Sequence, residues 1–126
     1  MKISLNCENF NLALEKLKKE YKIYAPIEIP FRGTFSDTSV IRYSEIDKIE
    51  EICFDKKSHF SAKEVMLPIT QTMFYFTEDG CTMPKEQDEK YLIFLRSCDL
   101  HSVKRVDEVY LNNKFLDIYY KRVRDK

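Results

Sequence analysis

At 126 residues the chain has enough length for one domain around one core, and two would be crowded. It is 44% hydrophobic and 13% aromatic, with no tryptophan, so its apolar surface supports a folded domain and argues against disorder. Lysine plus arginine and aspartate plus glutamate both number 21, and this zero balance argues against a dedicated nucleic-acid binder.

In chain order, Phe10, Ala13, Leu14, Leu17 and Tyr21 make one apolar stripe, which predicts an amphipathic helix over 9–21. Residues 22–29 read as extended, and Pro26 puts that strand at a sheet edge or bulge, because proline cannot donate to a ladder. Turn residues around Gly33 and Asp37 lead into a short strand over 38–43. Ile46, Ile49 and Ile52 recur at threes and fit a short helix or turn.

Ser61 and Glu64 have capping-box spacing for a helix over 61–67, flanked by Phe60 and Val65 and stopped by Pro68. Residues 69–76 are rich in β-formers and predict a strand, with Met66, Leu67, Met73 and Phe74 as core. A polar connection follows, holding Gly80 and Pro84. The run from Tyr91 predicts a strand over 91–96 buried on both faces. Asp99 then caps a helix over 99–111, whose Leu100, Val103, Val106 and Tyr110 share a face. A last basic helix covers 115–124. The mixture lacks a strict βαβ rhythm, so the class is α+β, one domain with a small mixed sheet flanked by helices.

One junction concentrates polar chemistry. Arg96, Cys98, Asp99 and His101 arrive together where a strand meets a helix, the favoured place for a site in open α/β sheets. A helix N-terminus lowers thiol pKa, so one reading is a self-contained enzyme that uses Cys98 as its thiolate. The bland reading has Asp99 capping the helix and Arg96 pairing with a neighbouring carboxylate, with Cys98 as packing. His59 reads as a surface residue.

Cys7, Cys53, Cys81 and Cys98 form no CxxC pair, so no local metal or cluster motif is present. Two glycines, Gly33 and Gly80, cannot build a glycine-rich phosphate cradle. There is no signal peptide and no stretch of transmembrane length, and free thiols point to the cytoplasm. Residues 78–90 carry five acids against two lysines, net −3, and residues 114–126 five bases against two acids, net +3. These runs could serve a non-catalytic protein-binding adaptor as docking surfaces.

Several segments together resemble the amino-terminal part of the A subunit of anaerobic sulfite reductase. They are YKIYAPIEI, GTFSDTSVIRYSEI, KKSHFSAKEVMLPITQTMFYF, YLIFLRSCDLHSVKRVDEVYL and FLDIYYKRVR, spanning nearly the whole chain. The wider group, including hydrogenase β-type iron–sulfur subunits, is similar at the step Arg96-Ser97-Cys98-Asp99. The resemblance implies an electron-transfer subunit, passing electrons toward reduction of sulfite to sulfide. It implies iron–sulfur clusters of the 4Fe-4S type in the full-length subunit. The implied partners are a flavin- and nicotinamide-using subunit and a sirohaem-bearing catalytic subunit, with neither nucleic acid nor membrane among them. Members of that family continue past the equivalent of Arg124 into cysteine-rich segments, whereas this chain stops at Lys126. The expectation is therefore an amino-terminal scaffold domain, itself non-catalytic and without a cofactor, whose cluster-binding domain is absent.

Overall fold

A computed structural model describes residues 4–67, 70–84 and 89–126. Its elements are α1 (Cys7–Leu17), β1 (Tyr21–Ile29), β2 (Val40–Glu45), a 3-10 turn at Ile49–Glu51, and α2 (Lys63–Met66). A hairpin of β3 (Tyr75–Thr77) and β4 (Gly80–Thr82) comes next. After it run β5 (Lys90–Ile93), α3 (Ser97–Tyr110) and α4 (Ile118–Arg124). The fold is α+β, as the sequence predicts.

The principal sheet has the order β2-β1-β5, with β1 antiparallel to β2 and parallel to β5. β1 is thus the middle strand, and its register with β2 is unbroken through Pro26, which corrects the expectation of a sheet edge or bulge there. The reason is local. β5 ends at Ile93, opposite Tyr24, so the ladder on that side has stopped before Pro26 is reached. A proline there forfeits no ladder donor. Its carbonyl accepts instead from the Cys53 N–H at 2.8 Å, and Ile27 bridges to Ile52.

The core packs on β1. Ile23 and Ala25 are completely buried, and Leu14, Ile46 and Ile52 close around them, with Phe10, Leu92 and Phe94 against the outside. Only Leu14 of the α1 stripe is fully buried, because α1 ends at Leu17 and Tyr21 opens β1 rather than closing the helix. Asn6 caps α1, its side chain accepting from the Asn9 N–H at 2.9 Å. Asn11 fastens α1 to the 3-10 turn, since its Oδ1 accepts from the Ile49 N–H and its amide donates to Glu50.

Other expectations need correcting. The strand over 69–76 reduces to Tyr75–Thr77, which pairs with β4 away from the principal sheet, all of it exposed; residue 69 lies outside the described residues. Met73 and Phe74 are accordingly exposed, and of the expected cluster only Met66 is buried. β5 is an edge strand and half-buried, not enclosed on both faces. β2 starts at Val40, two residues later than expected, and α4 starts at Ile118, three residues later. No reciprocal capping box forms at α2. Ser61 Oγ accepts weakly from the Lys63 N–H, while Glu64 turns to Arg42 at 2.8 Å. Pro68 lies outside the described residues.

α4 is held to α3 by one carboxylate. Asp107 accepts from the Tyr120 hydroxyl at 2.7 Å and from Arg124 Nε at 3.0 Å, and the Tyr110 and Tyr120 rings pack 5.1 Å apart. Burial alone would push the Asp107 carboxyl up, but the hydrogen bonds from Arg124 and Tyr120 prevail and hold it below its ordinary value. A carboxyl depressed in the folded state stabilises above its unfolded pKa of about 3.9, and that contribution is lost as pH falls through the folded value. Asp107→Asn should therefore cost about 1–2 kcal/mol at neutral pH. Chemical denaturation as a function of pH checks this. The gap between the two proteins should close below about pH 4, and a constant gap would contradict the role given to Asp107.

Candidate functional site

The junction at 94–101 is positioned from below by the sheet. Phe94 donates its N–H to the Tyr24 carbonyl at 2.8 Å, which fixes where the chain leaves β5. Two residues later Arg96 is extended (φ −74°, ψ 158°) and forms the N-cap of α3; its carbonyl accepts from the Leu100 N–H. Asp99, expected to cap this helix, lies instead in its first turn, because the helix begins at Ser97. A carboxylate there still complements the helix dipole.

Asp99 and Arg96 reach different parts of the molecule. The Tyr43 hydroxyl donates to Asp99 Oδ2 at 2.9 Å, tying β2 to the first turn of α3. Tyr43 is 6% exposed. Burial first, and then the Asp99 carboxylate, push its phenol well above the ordinary tyrosine range, with Arg96 opposing. The phenol is a neutral donor at any physiological pH. Arg96 Nη2 donates to the Cys53 carbonyl at 3.2 Å and also to the Lys56 carbonyl. No carboxylate partner for Arg96 exists among the described residues, which corrects the bland reading. The arginine serves as a clasp on the 53–56 loop.

Cys98 and His101 are both exposed on α3, and neither makes a side-chain hydrogen bond among the described residues. The junction therefore brings together Arg96 and Asp99 with Tyr43 and the loop carbonyls, and leaves Cys98 and His101 outside that network. Among the described residues no group of three or more His, Cys, Asp or Glu converges to hold a metal. These residues do not fit an iron–sulfur cluster, which needs thiolates gathered at one point. Also among the described residues, no helix is long and apolar enough to cross a membrane.

Sequence reasoning missed Tyr43, and it placed His59 at the surface without seeing its contact with β2. His59 is exposed as expected, yet its ring Nδ1 accepts from the Ile41 N–H at 3.0 Å while its backbone N–H donates to the Ile41 carbonyl at 2.8 Å. It thereby supplies β2 with both halves of a missing strand partner. The alternation of apolar Ile41, charged Arg42 and aromatic Tyr43 could have flagged Tyr43 as inward-facing, but no local signal names a partner 56 residues away. Of the basic carboxyl-terminal run, Lys121 pairs with Asp125 and Arg124 with Asp107. Residues 85–88 of the acidic run lie outside the described residues.

The chain is similar to sulfhydrogenase 2 subunit beta of Pyrococcus furiosus, at 28% identity over 124 residues. The alignment covers 97% of this chain and 34% of that subunit, so the chain spans about a third of the relative's length. No family model matches the chain. No solved structure matches it significantly.

Arg96→Met should free two loop carbonyls from their donor and cost about 1–3 kcal/mol. It should also speed amide exchange across residues 53–56. Tyr43→Phe, which cuts a separate tie, should destabilise by about 1 kcal/mol without that local loosening. Hydrogen exchange with denaturation on both variants checks this, and equal exchange patterns would contradict the division of labour.

Proposed function

We propose that this chain is the amino-terminal scaffold and docking portion of an electron-transfer subunit in an iron–sulfur oxidoreductase complex. Its similarity to a hydrogenase β subunit across nearly its whole length is the observation that carries this reading. The complex proposed is a cytoplasmic anaerobic sulfite reductase, in which electrons move toward reduction of sulfite to sulfide. The segments KKSHFSAKEVMLPITQTMFYF and YLIFLRSCDLHSVKRVDEVYL support that choice through the resemblance described above. A second reading, favoured by the relative's own name, makes hydrogen the redox partner instead of sulfite.

The geometry is compatible with a supporting role. Arg96 and Asp99 are spent on holding a loop and a strand against α3, as expected of a rigid platform. On this proposal 4Fe-4S clusters are held by polypeptide other than the described residues, and a flavin- and nicotinamide-using subunit and a sirohaem subunit dock nearby. Transfer between clusters requires no acid or base from the platform.

The test is anaerobic purification of the native complex that contains this chain, with assays for iron, labile sulfide and viologen-linked turnover. The expected result is bound iron and sulfide, and oxidation of reduced viologen on addition of sulfite. Turnover with hydrogen but not sulfite would replace the first reading by the second. A native assembly without iron would end both.

A further inference from the structure

Away from the junction, the connection between β1 and β2 folds into a built loop beside an open cavity of about 550 Å³. Its shape is tightly specified. Gly33 donates its N–H to the Thr38 carbonyl, and Thr38 Oγ1 both accepts from the Phe35 N–H and donates to the Phe35 carbonyl. Any side chain at position 33 would collide with Thr38, because a Cβ there would lie 2.2 Å from Thr38 Oγ1. Phe31 holds a left-handed backbone (φ 59°), which a bulky residue adopts only under constraint from its surroundings.

What this ordered loop presents is unusual for a solvated turn. Phe31 is 76% exposed and Phe35 70%, and Phe60 is exposed across the cavity with the Arg42 guanidinium 5.1 Å above its ring. Arg32, Phe35, Val40, His59 and Phe60 line the space, and among the described residues lining it none is acidic. The nearby Glu28 is neutralised by Lys56 at 2.8 Å and accepts from Ser39. His59 contributes in a defined tautomer. Its Nδ1 accepts from Ile41, so Nε2 carries the proton and is the donor His59 can offer. The volume suits a small ligand, and apolar walls with a few polar groups are the usual composition of such sites.

We propose that this cavity binds a small planar aromatic carboxylate, with its ring against Phe35 and Phe60 and its carboxylate on Arg32 and the Nε2–H of His59. The rings supply stacking area, and the guanidinium supplies a fork that matches a carboxylate. This assignment stands independently of the redox role proposed above.

Naphthoate and its neutral counterpart naphthamide are the probes, titrated into the whole chain and followed by amide NMR correlation spectra. Naphthoate should shift the amides of residues 31–40 and 59–60 with saturation. Naphthamide, and naphthoate with Arg32→Gln, should each bind about tenfold more weakly or worse. Phe35→Ala, at a highly exposed ring, provides a second variant and should weaken naphthoate comparably. The assignment is overturned by shifts that spread without saturation, by equal binding of the neutral probe, or by variants that bind as the parent does.

Discussion

Three backbone carbonyls of one strand organise most of this molecule. Along β1, Ile23 accepts from the Ile46 N–H, Tyr24 from the Phe94 N–H and Pro26 from the Cys53 N–H. Those donors belong to the exit of β2, the exit of β5 and the end of the 3-10 turn. A buried carbonyl needs a partner, and each of these takes one from a different stretch of chain. The same strand carries Ile23 and Ala25, which are fully buried, so its hydrogen bonds and its packing reinforce one another. Deleting that packing would be costly, since a core isoleucine cut to alanine typically loses 2–5 kcal/mol.

The position of the candidate junction follows from this arrangement. Phe94, pinned to Tyr24, aims residues 95 and 96 past the sheet, and Arg96 then meets a loop whose start is pinned to Pro26 through Cys53. Both ends of the Arg96 contact thus trace back to one strand, two residues apart. The Tyr43–Asp99 hydrogen bond adds β2 as a third support. The N-terminus of α3 is thus held at three points, which is what the proposed docking role would need. Cys98 and His101 lie outside that network and are exposed.

Much of the principal sheet was legible in the residues. β1 and β5 are apolar runs rich in β-formers, and α1 and α3 show helical spacing with polar faces. Where reading failed, tertiary context had overridden local preference. ITQTMFYF has β-forming composition, yet among its described residues only the last two enter a strand, and that strand pairs with its own hairpin. The Asp79-Gly80 pair was the available hairpin signal, with Gly80 at φ 141°. Pro26 misled because a central strand can behave locally as an edge once its neighbour has ended. At the junction Arg96 and Asp99 do make long-range contacts while Cys98 and His101 do not, and the partners of Arg96 lie 40 and 43 residues away and are backbone carbonyls. No side-chain pattern encodes a carbonyl.

Residue-resolved native-state hydrogen exchange is the most direct measurement of whether β1 is the common support. The amides of Ile46, Cys53 and Phe94 come from three separate segments, so only a shared acceptor strand gives them reason to open together. If β1 has that role, all three exchange with one protection factor that tracks global unfolding, while the β3–β4 hairpin exchanges far faster. Were any of the three to exchange as readily as the hairpin, the claim that one strand holds the molecule together would be contradicted.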